Sequence, residues 1–174
     1  MHIIKRVSIT VALCFAYPSF AMNSPENIQA KQLVDAIIAG NRQQFDNLLK
    51  AGVNHLSPYH YMLSGKPIKR TPIMIAIMYH QFEMGKRLLE KNHEEQIPGI
   101  EGDTLMHYMA MCGSHEFIPL LMSLGGEIDG KTLLLAGSVK YSSQERSEKT
   151  REMLNHIESD RKSRPAHLIK YKRD

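Results

Sequence analysis

The residues best able to do chemistry in this 174-residue chain are its nine histidines, its two cysteines and the carboxylates near them. Their spacing decides what they could do. A zinc-hydrolase helix carries two histidines four residues apart, with a glutamate after the first as general base. His93-Glu94-Glu95 begins that pattern, but Ile97 stands where the second histidine belongs. Gly113-Ser114-His115 lacks the surroundings of a nucleophile elbow, and no glycine-rich phosphate loop is present. His55, His60, His80 and His115 are scattered without the paired spacing of zinc ligands. With no convergent acid, base, nucleophile or ligand set, no enzyme activity is expected, nor any cofactor or metal.

The elements that would position any functional group begin after an export signal. His2, Lys5 and Arg6 form a positive start, Val7 to Ala16 a short apolar stretch, and Ser19-Phe20-Ala21 offers small residues where a signal peptidase reads, placing cleavage after Ala21. That stretch is too short to span a bilayer, which takes about 20 apolar residues. Removing residues 1–21 takes away Lys5 and Arg6 and no acid, so the formal net charge falls from +4 to +2, too little to argue for nucleic acid. It also removes Cys14, leaving Cys112 with no partner for an internal disulfide. The remainder is expected in the periplasm or secreted, held together by packing alone.

A repeat organises that remainder. Arg70-Thr71-Pro72-Ile73-Met74-Ile75-Ala76-Ile77 opens one unit and Asp103-Thr104-Leu105-Met106-His107-Tyr108-Met109-Ala110 the next, the two threonines lying 33 positions apart. Gly113 is expected to end a first helix and Phe117 to Met122 to form a second, followed by Gly125-Gly126; Phe82 to Leu89 fills the second-helix role one unit earlier. Upstream, Leu33 to Ala39, Gly40-Asn41, Phe45, Leu48, Leu49 and Gly52-Val53-Asn54 repeat the order; downstream, Gly130 to Leu134 and Met153-Leu154 do so loosely. Apolar positions recur at helical spacing, so each helix has one face to bury, and short helix pairs can bury such faces only by stacking. Threonine suits a helix start because its hydroxyl can cap a free amide.

Together these segments resemble the ankyrin repeat, whose signature is Thr-Pro-Leu-His-x-Ala: Thr71-Pro72 match its first half, and His107 and Ala110 its second. The resemblance implies an all-α solenoid of about four helix-turn-helix units, near residues 28–55, 68–100, 101–129 and 130–158, within a domain of residues 22–158. His107 would then join a hydrogen-bond network tying neighbouring units. Two departures stand out. Leu56 to Pro67 lengthen the first finger loop, and Ser142 to Glu148 lengthen the last unit between its helices. The terminal unit is expected to serve as a polar cap, and the basic tail of residues 159–174 to be mobile or loosely helical.

The resemblance also implies where a partner would sit. In this family the two positions after the paired small residues of the first helix face the concave side; here these are Ile38 and Ala39, Met78 and Tyr79, Met111 and Cys112, then Val139 and Lys140. Thioether and aromatic groups there suit protein recognition. Arg70 and Asp103 flank the strip, and the insertion adds Tyr59, His60 and Tyr61 beside it. The expected function is a monomeric, non-enzymatic module that holds a protein partner. An antagonist of a co-encoded enzyme is the leading form; an effector that engages a host protein, or a ligand pocket against residues 56–67, are the rival readings.

Overall fold

Glycine and its substitutes punctuate the chain into helix pairs. The computed structural model describes residues 25–63, 66–91, 103–138 and 142–163. In the first pair, α1 (Pro25–Ile38) buries Leu33, Val34, Ala36 and Ile37, one helical face, and α2 (Arg42–Lys50) buries Phe45 and Leu49, one turn apart. Between them Gly40 turns the chain at φ 67°, and the Asn41 side chain caps α2 by accepting from the Gln44 amide at 3.1 Å.

The second pair is α3 (Pro72–Met78) and α4 (Phe82–Glu90). Every residue of α3 from Pro72 to Ile77 is buried, which marks an inner helix enclosed by neighbours on several sides. The third pair is α5 (Leu105–Cys112), then a 3-10 turn at His115–Phe117 running into α6 (Ile118–Ser123). Gly113 closes α5 in the left-handed conformation at φ 65°. The fourth is α7 (Gly130–Ala136), capped by Asp129, and α8 (Gln144–Ser163).

Helices α1, α3, α5 and α7 pack on one another in that order, and each packs on the second helix or turn of its own unit. A single apolar core runs through all four units, with Phe45, Ile77, Met109 and Phe117 among its fully buried side chains. Burying a side chain of this size stabilises by about 1.5–3 kcal/mol. The rings of Phe82 and Phe117 meet edge to face at 5.3 Å and join the outer layers of the second and third units. The architecture is the all-α solenoid of stacked helix pairs that the repeat implies.

The long first finger is a hairpin, in which β1 (Tyr59–Leu63) and β2 (Lys66–Arg70) pair antiparallel, Tyr59 opposite Arg70 and Leu63 opposite Lys66; two local expectations elsewhere are corrected. Aromatic residues concentrated on β1 favour that hairpin. Residues 144–148 are not a spacer between helices but the first turns of α8, which runs 20 residues to Ser163. Free of glycine and proline and rich in Glu, Arg and Lys, this stretch has a composition that propagates helix. Thr71 makes no side-chain cap bond; among the described residues its hydroxyl oxygen is buried without a partner, and Pro72 occupies the first helical position instead.

The signal-peptide reading, Val139 and Lys140, His93-Glu94-Glu95 and the tail beyond Ser163 fall outside the described residues. No described helix is long and apolar enough to cross a membrane.

Candidate functional site

Equivalent positions in the units can be fixed by backbone conformation. Gly40, His80 and Gly113 all have positive φ (67°, 55° and 65°) at the residue that closes the inner helix. Two positions before them lie Ile38, Met78 and Met111, and one before them Ala39, Tyr79 and Cys112. Ile38, Met78, Tyr79 and Met111 are each partly buried, packed against the core with part of their surface open. Because α1, α3 and α5 pack in succession, these side chains occur once per unit at the same level of the stack. The result is an apolar strip across three units.

Cys112 is not part of that surface. It is 1% exposed, and burial pushes its thiol pKa up to about 12, a shift the positive charge of Arg70 partly opposes. Its helix α5 is enclosed by α3, α7 and α8, and the charged end of the hairpin lies nearby. Arg70, at the end of β2, places its guanidinium 5.2 Å from the centre of the Tyr108 ring and donates from Nε to the Tyr108 hydroxyl. Cys112 lies one turn after Tyr108, so the base of the hairpin leans on the face of α5 that carries both.

The strip also ends sooner than expected. Asp129 caps α7 as Thr104 caps α5, each accepting from the amide three residues on. In that register the fourth-unit equivalents of Met111 and Cys112 are Ala136 and Gly137, not Val139 and Lys140, and Ala136 is 0% exposed.

The other nominated residues are distributed around the hairpin and the unit junctions. Tyr59 is half-buried against the core, and β1 lies against α1. His60 is exposed, opposite exposed Lys69 in the register. Tyr61 pairs with Ile68 through the backbone. Asp103 is turned toward the fourth unit, where Lys131 forms an ion pair with it.

His107 does what the repeat implies. Its Nδ1 accepts from the Thr104 amide at 3.1 Å, which places the proton on Nε2, and Nε2 donates to the Asp129 carboxylate at 3.0 Å. Asp129 also accepts from the Thr132 amide and hydroxyl, each at 2.7 Å. Those two bonds and the one from His107 hold the Asp129 carboxyl well below the usual carboxylate range. One imidazole thus joins the start of α5 to the start of α7.

A second polar junction went unseen in the sequence because its members lie 30 to 66 residues apart. Arg146 of α8 donates to both Glu116 oxygens at 2.7 and 2.8 Å and to the Gly113 carbonyl at 3.2 Å, and its Nη2 lies 2.9 Å from His80 Nδ1. Burial opposes ionisation of Glu116, but bonds from His80 and its own backbone, with the Arg146 charge, outweigh it and lower its pKa to about 2. Ser114 Oγ lies 2.8 Å from His80 Nδ1, which has the outline of a nucleophile and base. Its proton goes instead to the Ile77 carbonyl at 2.6 Å, and Ser114 is 0% exposed. These groups hold helix ends together.

Residues 33–132, more than half of the chain, match the family model for ankyrin repeats in three copies. The chain belongs to the ankyrin-repeat family. No curated protein matches it. Ankyrin repeats are in general non-enzymatic modules for protein–protein interaction, and the matched range contains Ile38, Met78, Tyr79 and Met111. Among the described residues no group of histidine, cysteine and carboxylates is arranged to hold a metal ion. On the first unit a shallow hollow of about 500 Å³ is lined by carboxamides, among them Gln32, Asn41, Gln44 and Asn47.

Proposed function

We propose that this ankyrin stack is an exported module that binds another protein along the strip formed by Ile38, Met78, Tyr79 and Met111, with the hairpin as one wall. The observation that carries the reading is the repetition: large apolar side chains recur at one structural position in three successive units and keep part of their surface open. A core needs no such open positions, whereas a recognition surface does, and thioether and aromatic groups supply contact area with little loss of freedom. The hairpin is held in place by Arg70 on Tyr108 before any partner arrives, which lowers the ordering cost of binding.

In its most concrete form the partner is a secreted enzyme encoded beside this protein, and binding blocks that enzyme in the compartment both enter. The export-like start at residues 1–21 and the lack of a catalytic constellation in the sequence support that form. Co-purification of the tagged, processed protein with the product of each adjacent gene tests it. Stable capture of a neighbouring hydrolase, with loss of the hydrolase's activity, is the expected result. A neighbour that fails to bind at micromolar concentration removes the antagonist role and leaves the binding module.

A further inference from the structure

The charge of the binding wall is one-sided. From Asn47 to Phe82 the chain runs 36 residues without an aspartate or glutamate, although its average of 18 acids in 174 residues would put three or four there. The same run contains Lys50, Lys66, Lys69 and Arg70, and it comprises the whole hairpin and all of α3. Strand β2 itself reads Lys-Pro-Ile-Lys-Arg. The bounding acids face other work: Asp46 is paired with Arg87 of α4, and Glu83 lies at the start of that outer helix. Near the strip, Asp35 is paired with Lys31 at 2.6 Å and Asp103 with Lys131, so neither offsets the hairpin.

We infer that the partner segment held by this face is acidic, a stretch of protein whose carboxylates meet the hairpin at Lys69 and Arg70 while its apolar side chains lie on Met78, Tyr79 and Met111. The inference rests on the binding role proposed above and adds the chemistry of the partner. A cationic wall beside an apolar strip selects by charge and steers approach, since complementary charge raises the association rate and penalises like-charged competitors. Protein, rather than a lipid surface, fits because the apolar side chains lie half-buried in a strip and do not project to insert between acyl chains.

Methionine-methyl NMR spectra of the full chain, titrated with three synthetic peptides, test this. The peptides share length and leucine and phenylalanine positions and differ in carrying only glutamate, only serine or only lysine elsewhere. The glutamate peptide is expected to bind most tightly, to shift the Met78 and Met111 methyls, and to weaken by about tenfold in Lys69→Glu and further as added salt screens the contact. Serine or lysine peptides that bind as tightly at the same methyls would overturn the charge inference and leave the docking face standing. If none of the three moves those methyls, the docking face falls and this inference with it. Vesicles of phosphatidylglycerol that shift them where the glutamate peptide does not would identify a lipid surface and overturn it too.

Discussion

Gly85 has no room for one more carbon. A Cβ built there would lie 2.5 Å from the Phe117 ring, whose position is fixed by Phe82 and by full burial. Gly85→Ala should therefore destabilise the stack by about 1–3 kcal/mol, the usual cost of overpacking, read as a lower denaturation midpoint at unchanged slope. Glu116 makes the second prediction at this scale. Its folded pKa of about 2 lies below the ordinary 4.5, so its contribution to stability is complete above pH 4.5 or so, erodes as pH falls, and is gone below about 2. Glu116→Gln should remove that part of the acid dependence, seen as a shallower fall of unfolding free energy with pH between those limits. Single residues were also where the sequence spoke most clearly. The resemblance to the repeat signature pointed to the His107 network, and Gly40 and Gly113 announce their left-handed turns because the backbone there demands glycine. His80 does not, since it takes the same turn at φ 55° without being glycine.

The last helix packs on α5 and α7 through Leu154, and one side chain adds a polar junction to three units. Arg146 ties α8 to the end of α5 through the Gly113 carbonyl, to Glu116 and to His80 at the end of α3, so three units meet at one guanidinium. With its side chain about one third exposed, Arg146→Gln should cost about 1–2 kcal/mol, because the charged bonds are partly screened. Amide exchange in α8 should accelerate while α1 and α2 keep their protection; equal acceleration throughout would mean the units do not open separately. The paired helices of the first three units were legible because apolar spacing and glycine stops are local signals. The hairpin and the full length of α8 were legible in principle, through the aromatic β1 segment and an uninterrupted run of helix formers. A family template that expects a short finger and a short second helix hides both. The Arg146 junction was not legible, since nothing local to residue 146 points to residues 80, 113 and 116.

At the scale of the whole molecule, function depends on which face of the stack stays open. Periodicity identifies helices with buried faces, but it does not say which boundary residues remain half-exposed, and Cys112 shows the limit: its position in the repeat pointed outward, yet it is buried on a helix enclosed by α3, α7 and α8. Ile38, Met78, Tyr79 and Met111 are partly buried against the core, while their fourth-unit counterpart Ala136 is fully buried. The most direct test is the affinity of the captured partner for a variant carrying Met78→Glu, Tyr79→Glu and Met111→Glu, measured beside a control with charge changes on the exposed outer surface of α2. The account predicts loss of binding by about a hundredfold or more in the first, an unchanged far-UV spectrum in both, and full binding in the control. Full binding by the triple variant, or loss confined to the α2 control, would contradict it.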